Sequence, residues 1–570
     1  MAESLQEIVE REQSSLIDDP RIAFVSVPSV ALKLNGKIIS PVRTNYPKIS
    51  QLLLATHTRD YLESIGMHPS VEVIDMKAMD PERFTKFGAV RYGRHKLTKY
   101  RVGADFRSLR DRLRELDFVC VTSNFTQEAG IVADFLDFVR EVNPRAVTIV
   151  GGTDATSKER ASFYYAEHCD VVFVGEGQQN LPRLVEMACR DNDFYEIVKK
   201  GIKSIIFNFR PSYIPDLVDS EELKRKRIQS RTFKKGRVEI LEGDEAASGK
   251  IEIKGPYEAA CSTLTDKLDF SLVDLQSFTE SGGGDIPSYA SKPVMYLETS
   301  RGCVNRCEFC TTPWMKGKYR FMDIDEVKEI LQHYKEAGIH TLLLSEDNIL
   351  ARLKFGRRDE LLEMFRYMRE QGFAWEFSVG FEVGQLVKEG EVDTELVEAL
   401  FYNNRDYDNF VGCYRALVPL ESLRTKDERG RYRKLAPLND NLKVIDTIVA
   451  QECPKLNISM IIGERDETEE SLRVTTETAL VMKDRYRDTK TKLHFSVFCL
   501  TPLPGTMLMD YGRLAYKVEE HPELYSLATS VVKGDHLPPE RIFEARREMN
   551  KILNGEAMTG YWAQTGKINF

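Results

Sequence analysis

Short apolar runs separated by longer segments of helical period set the pattern of the first third of the chain. Arg21–Pro28 (RIAFVSVP), Val71–Asp75, Asp117–Ser123 (DFVCVTS), Ala146–Gly152 (AVTIVGG) and Asp170–Gly175 (DVVFVG) are rich in β-formers. Between them, Ile49–Ile65 and Glu128–Glu141 repeat apolar residues every three or four positions, as a helix burying one face does. Buried strands alternating with helices predict an α/β fold, a doubly wound parallel sheet of Rossmann-like type, over residues 1–195. The pattern weakens over 196–290, which carries a basic run at Lys224–Arg237 and Ser281–Asp285 (SGGGD). That composition predicts an inter-domain connection with little regular structure.

Alternation resumes at Pro293. Strands are expected at Val294–Thr299, Thr341–Leu344, Trp375–Val379, Phe410–Tyr414, Leu456–Ile462 and His494–Leu500. Asp323 and Glu326 stand in capping-box spacing before a helix that closes at Gly338, and another helix, about 359–371, stops at Gly372. Six βα units over 291–510 predict a partial (β/α)6 barrel. Residues 511–570 read as a small helical, charged region without a chemical motif.

Composition adds exclusions. No apolar stretch is long enough to cross a bilayer, and the start (MAESLQEIVEREQSS) is acidic and polar. A cytoplasmic location is therefore expected. A net charge of −9 argues against wholesale binding to nucleic acid. The basic run at Lys224–Arg237 could dock an acidic partner or RNA, although such runs are far more often solvated loops. Ten cysteines in 570 residues are too sparse for a disulfide framework, and seven are scattered singly.

The other three fall within eight residues. Glu298–Pro313 reads ETSRGCVNRCEFCTTP, so Cys303, Cys307 and Cys310 are spaced CxxxCxxC directly after a β-rich run. Three thiolates on one loop suit an iron–sulfur cubane, with one iron left open to a small molecule. Structural zinc and three incidental thiols are the alternatives. Zinc usually wants a fourth ligand nearby, and the next downstream histidine is His333.

This spacing, with Phe309 just before the last cysteine, closely resembles the radical S-adenosylmethionine (SAM) superfamily. The resemblance implies a [4Fe–4S] cluster whose open iron binds SAM, and an electron donor such as flavodoxin or ferredoxin. Reduction then splits SAM into methionine and a 5′-deoxyadenosyl radical. It further implies SAM contacts from Phe309, from Ser345, Glu346 and Asp347 after the second strand, from Glu421 and Ser422 after the fourth, and from Ile462 on the fifth. A helix cap is the alternative role for Glu346 and Asp347. Thr501–Thr506 (TPLPGT) looks like the turn that follows the sixth strand in that family.

A doubly wound sheet binds ligands beyond the carboxyl ends of its strands. Those ends carry Ser26, then Ser123 and Asn124, then Gly151, Gly152 and Thr153, then Gly175, Glu176 and Gly177. Their succession resembles the cobalamin-binding domain that precedes many radical SAM barrels, and Asp269-Phe270-Ser271 resembles the segment such proteins place before the barrel. The Asp-x-His-x-x-Gly motif that supplies the lower cobalt ligand in many cobalamin proteins is absent. His57, His68, His95 and His168 lie in other contexts. Arg43 and Tyr46 follow the first strand and could approach that face.

Together these resemblances imply a cobalamin-dependent radical SAM methyltransferase acting on an unactivated carbon. An oxidoreductase or cyclase with the same cofactors, and a non-catalytic cobalamin or cluster sensor, are the alternatives. A methylthiotransferase would want a second N-terminal cysteine triad, whereas Cys120, Cys169 and Cys189 lie far apart. The substrate stays open among peptide, protein side chain, lipid, tetrapyrrole and other small molecules.

Overall fold

The structure, a computed structural model, describes residues 17–40, 49–157, 165, 168–173, 175–190, 268–275, 293–316, 318–406, 408–423 and 437–555, with backbone alone at 205–207, 231–234 and 237–240. Arg43 and Tyr46 lie outside the described residues.

The first sheet is built from β1 (Arg21–Ser26), β4 (Ser70–Asp75), β7 (Phe118–Thr122), β8 (Val147–Gly151), β9 (Val171–Phe173) and β10 (Ile205–Phe207). Its order is β10-β9-β8-β7-β1-β4, parallel except for β10. This is the 2-1-3-4-5 order of flavodoxin-like sheets with one added edge strand, and it reverses between β1 and β7. Helices α1 (Ile49–Ser64), α2 (Ala129–Val142) and α3 (Asn180–Arg190) cover its faces. The expected doubly wound sheet is therefore present.

An unanticipated second sheet interrupts it. β2 (Ser29–Leu34), β3 (Lys37–Ile38), β5 (Phe84–Tyr92) and β6 (His95–Val102) form an antiparallel sheet in the order β3-β2-β6-β5. Asn35 (φ 51°) and Gly36 (φ 82°) make the tight turn between β2 and β3; two consecutive positive φ values favour Asn-Gly. The connection also departs from expectation, because β11 (Arg231–Lys234) and β12 (Arg237–Ile240) pair as a hairpin.

The second large sheet contains β13 (Val294–Leu297), β14 (Thr341–Leu344), β15 (Ala374–Phe377), β16 (Gly412–Glu421), β17 (Lys455–Ile462) and β18 (Lys492–Cys499), all parallel and in sequential order. Helices α4 (Ile324–Glu336), α5 (Arg358–Glu370), α6 (Thr394–Leu400), α7 (Leu438–Ala450) and α8 (Glu469–Arg485) pack outside it in one continuous core. Asp323 and Glu326 form the expected capping box, and Gly338 and Gly372 have φ 77° and 82° just past the ends of α4 and α5. The sheet does not close, as expected for a six-stranded partial barrel.

Its last edge is covered from an unexpected direction. Residues 511–538 are largely irregular rather than helical, and only α9 (Pro539–Asn554) is a long helix there. On α9, Arg546, Asn550 and Asn554 recur every four residues and so share one face. Arg546 Nε donates to the Val497 carbonyl (2.9 Å), which also takes Asn550 Nδ2 (3.5 Å). Asn554 accepts from the Phe495 amide (2.9 Å) and donates to its carbonyl (2.6 Å). These side chains stand in for a seventh strand along β18 and satisfy backbone groups that would otherwise be left open.

The antiparallel sheet grips the same region. The Tyr92 hydroxyl donates to the carbonyls of Ser530 (2.6 Å) and Pro539 (3.1 Å), and its ring stacks on Tyr516. Tyr92→Phe should leave the buried Ser530 carbonyl short of a donor and cost roughly 1–3 kcal/mol. Hydrogen exchange over residues 514–550 should rise while exchange in β13–β16 stays unchanged. Uniform loosening of both regions would show that Tyr92 supports the whole fold rather than this junction.

Candidate functional site

Glu298 and Thr299 follow β13, and the chain then turns at Gly302 (φ 85°) into the cysteine loop. Cys303 and Cys310 are partly exposed and Cys307 is buried. The Asn305 amide points at Cys303 Sγ (3.4 Å), with Asn348 Nδ2 at 3.9 Å. Burial pushes the Cys303 thiol up while those two donors pull it back; such donors suit a thiolate bound to metal. Among the described residues no three His, Cys, Asp or Glu side chains converge on a single ion. A cubane asks for a wider spread, because it takes each thiolate on a separate iron. The donor set and its N–H partners fit a [4Fe–4S] cluster, which Cys303, Cys307 and Cys310 could hold.

The adjacent acids after β14 have opposite assignments. Asp347 accepts from the Gly302 amide (2.8 Å), from Thr312 (3.2 Å) and from Lys316 Nζ (3.0 Å), which pins both ends of the cysteine loop. Glu346 is turned inward and buried, accepting from the Thr299 amide (3.0 Å) and hydroxyl (2.7 Å). Burial raises its carboxyl to about 7, against the pull of the Thr299 bonds. Ser345 closes β14 onto the Leu297 carbonyl. Glu421 ends β16 at a register shift with φ 52°, a strained conformation for this residue type, and Ser422 follows it. In the Thr501–Thr506 turn Gly505 has φ 87°, and the Leu508 amide then meets the Glu308 carbonyl in the cysteine loop (3.3 Å).

Strand alternation puts the Ile462 side chain in the apolar core that also holds residues of α8 and α9. Its neighbour Ile461 takes the inward position. The interior itself is more polar than the sequence suggested. Arg415 and Glu376 form a buried ion pair. Beside it, Asn457 and His494 face each other in register, and neither has a hydrogen-bond partner among the described residues. Burial, with Lys455 and Arg415 nearby, drives His494 down to about 3, so it stays neutral.

At the first sheet, the predicted hydroxyls brace the protein rather than pointing outward. Ser26 accepts from Gln51 (3.1 Å), and Ser123 hydrogen-bonds Tyr165 (2.7 Å), which in turn reaches buried Asp154. Asn124 Oδ1 holds the Thr153 amide (3.0 Å), and the Gly175 amide donates to Thr156 (2.9 Å). Gly152 has φ 107°, and a Cβ there would stand 2.6 Å from the Ser123 carbonyl. The glycine is thus needed by the turn itself. Gly151, Gly152, Gly175 and Gly177 lie on the shelf formed by the carboxyl ends of β8 and β9, and a Cβ at Gly151, Gly152 or Gly177 would meet Phe173, Ser123 or Leu54. His95 is engaged by Glu544 (3.0 Å) and His168 by Asp137 (2.8 Å).

Glu176 leaves that shelf for the other domain. It pairs with Arg301 (3.2 Å), two residues before Cys303, and with Arg320. Nothing in the sequence marked Arg301 or Arg320 as partners of Glu176, because these contacts join segments more than a hundred residues apart.

A three-thiol loop after the first strand of an open parallel barrel, beside the strand ends of a doubly wound sheet, is the arrangement expected of a radical SAM protein. Residues 297–477 match the model of the Radical SAM superfamily. The barrel thus carries a Radical SAM domain, and the chain has the two-domain fold of the cobalamin-dependent radical SAM enzymes. That fold is shared with TsrM of Kitasatospora setae, a radical S-adenosylmethionine methyltransferase solved with tryptophan substrate and a SAM analog (TM-score 0.54, 15% identity, 95% of this chain and 90% of that one). A second TsrM structure, with cobalamin and a [4Fe-4S] cluster bound, gives a TM-score of 0.52 at 16% identity, covering 86% and 77% of the two chains. Among curated proteins, cytidylyl-2-hydroxyethylphosphonate methyltransferase of Streptomyces wedmorensis is 26% identical over 54% of this chain and 50% of its own length. The ribosomal protein uS12 methylthiotransferase RimO of Clostridioides difficile is 24% identical over 38% and 48%. The chain thus spans about half the length of the curated relatives it matches. Among the described residues no helix is long and apolar enough to cross a membrane.

Replacing Cys303, Cys307 and Cys310 together with Ala should remove iron and stop 5′-deoxyadenosine formation, while far-ultraviolet circular dichroism is kept. Continued SAM cleavage by the triple variant would refute the cluster assignment. Glu346 gives a pH test. Its folded carboxyl lies above the unfolded value, so its contribution to stability is complete below about 4.5 and is lost as pH rises through about 7. Glu346→Gln should flatten that decline, worth up to about 3 kcal/mol. Parallel stability–pH curves for the two proteins would show that Glu346 does not titrate there.

Proposed function

We propose that the chain is a cobalamin-dependent radical SAM methyltransferase that methylates an unactivated carbon. The observation that carries this reading is the pairing of Glu176 with Arg301 and Arg320. It sets the ligand edge of the first sheet against the loop that presents the thiols, so two cofactors could serve one substrate between them. The TsrM structures support it, since they match both domains and one holds cobalamin and a cluster. The methyltransferase from Streptomyces wedmorensis supports it as well. Against methylthio transfer, Cys120, Cys169 and Cys189 lie dispersed in two apolar cores.

A cluster on the three thiols would supply the electron that cleaves SAM, and a corrin on the shelf would carry the methyl group. The chain supplies geometry. Asp347 fixes the loop at Gly302. Asn305 is held by Glu382 (2.9 Å) and Lys354 (3.2 Å), which keeps the middle of the loop in place. Ser345, Asp347, Glu421 and Ser422 stand at the strand ends where SAM would lie, and buried apolar helices exclude water from behind. Flavodoxin or ferredoxin would provide the electron, and the substrate class stays open among peptides, protein side chains, lipids and small molecules.

Incubation with reductant, hydroxocobalamin and methyl-deuterated SAM should transfer one labelled methyl to the substrate and yield 5′-deoxyadenosine. Deoxyadenosine without labelled product, across a candidate panel, would sink methyl transfer and leave the superfamily assignment standing. Thr153→Trp should abolish corrin retention without loss of iron; unlike Gly152, Thr153 lies where a side chain is already accommodated. The cobalt(II) paramagnetic resonance spectrum should lack axial-nitrogen splitting, and its appearance would refute a lower face free of histidine.

A further inference from the structure

Six charged side chains alternate in sign around the cysteine loop. Asp347 meets Lys316 (3.0 Å), Lys316 lies near Glu298 (3.9 Å), Glu298 holds Arg301 in a two-point pair (2.6 and 3.2 Å), Arg301 meets Glu176 (3.2 Å), and Glu176 meets Arg320. The row starts at the carboxylate that holds the Gly302 amide. It ends at Arg320, which donates to the Lys316 carbonyl (2.8 Å) and whose strand pairs with Ser300 and Arg301. Five of the six belong to the barrel domain. Glu176 alone comes from the first sheet, and its side chain is only 11% exposed.

We infer that Glu176 is a positioning residue for the cysteine loop, an anionic link through which the first sheet fixes that loop and balances its charge. It is not a contact to the sheet's own ligand. Three carboxylates and three cations make the row neutral. Without Glu176, Arg301 would keep its pair with Glu298, Arg320 would lose the carboxylate it pairs with, and the row would carry one positive charge in excess beside the thiols. In so buried a place that charge is poorly screened, and it would favour adding an electron to a bound cluster. Losing Arg320 instead would leave the row net negative and disfavour that electron. Both losses weaken the tie between the domains, Glu176 by removing both of its pairs and Arg320 by removing one, so a purely mechanical role would move the cluster in one direction for both. A charge-balancing role moves it in opposite directions.

The inference rests on the cluster assignment and not on cobalamin or methyl transfer. Full-length wild type, Glu176→Gln, Glu176→Asp and Arg320→Gln would be reconstituted with iron and sulfide and titrated reductively, with the reduced cluster followed by paramagnetic resonance. Hydrogen exchange of the unreconstituted chains would be measured beside this, and hydroxocobalamin retention separately. Glu176→Gln should raise the reduction potential and Arg320→Gln should lower it. Both should speed exchange at least tenfold in residues 300–303 and 171–177 together. Glu176→Asp, which keeps the charge with a shorter reach, should restore the potential toward wild type but not the protection. Equal potentials in wild type and Glu176→Gln, with unchanged exchange and lost corrin, would overturn the inference and return Glu176 to the shelf's ligand. Shifts of the same sign in Glu176→Gln and Arg320→Gln would refute the charge-balancing role.

Discussion

A parallel sheet of six strands that does not close must answer for its exposed backbone, and this requirement organises the barrel domain. Helices cover the outer face with one continuous apolar core, but helices packed on a face do nothing for an edge. The polar stripe of α9 does, with amide and guanidinium groups spaced to match the alternate carbonyls of β18. The same region is held by Tyr92 and its neighbours from the antiparallel sheet. The first domain, the barrel edge and α9 are therefore mechanically continuous, and the cysteine loop is fixed within that frame rather than by its own few residues.

Much of the fold was legible because it depends on local periodicity. Short buried runs gave β1, β7, β8 and β9, and capping residues placed α4 and α5 within a residue or two. The antiparallel sheet escaped although its turn is explicit at Asn35-Gly36. Its strands β5 and β6 carry basic residues in place of clean apolar alternation, since part of their surface is solvent-facing. The helical reading of 511–538 failed for a related reason. Those residues fold against another sheet, and tertiary contact overrode local preference.

The site divides in the same way. The three cysteines were readable because their chemistry needs them within one loop. Glu346 and Asp347 were not separable, since neighbours at a strand end leave in different directions and only packing decides which faces the loop. The hydroxyls of Ser26 and Ser123 looked like ligand contacts by position, yet both are absorbed in bracing turns whose partners, Gln51 and Tyr165, no motif announces. Strand alternation sets Ile462 in the apolar core.

The side chains of Asn457 and His494, without hydrogen-bond partners among the described residues, have a consequence for how such a chain changes over generations. Each buried polar atom without a partner lowers stability, and an apolar side chain of similar size would relieve it. Selection for heat tolerance alone would find easy gains there, and it would do so by filling the interior. A lineage that keeps these two residues through adaptation to higher temperatures would reveal that the polar interior, rather than the wall around it, is under selection.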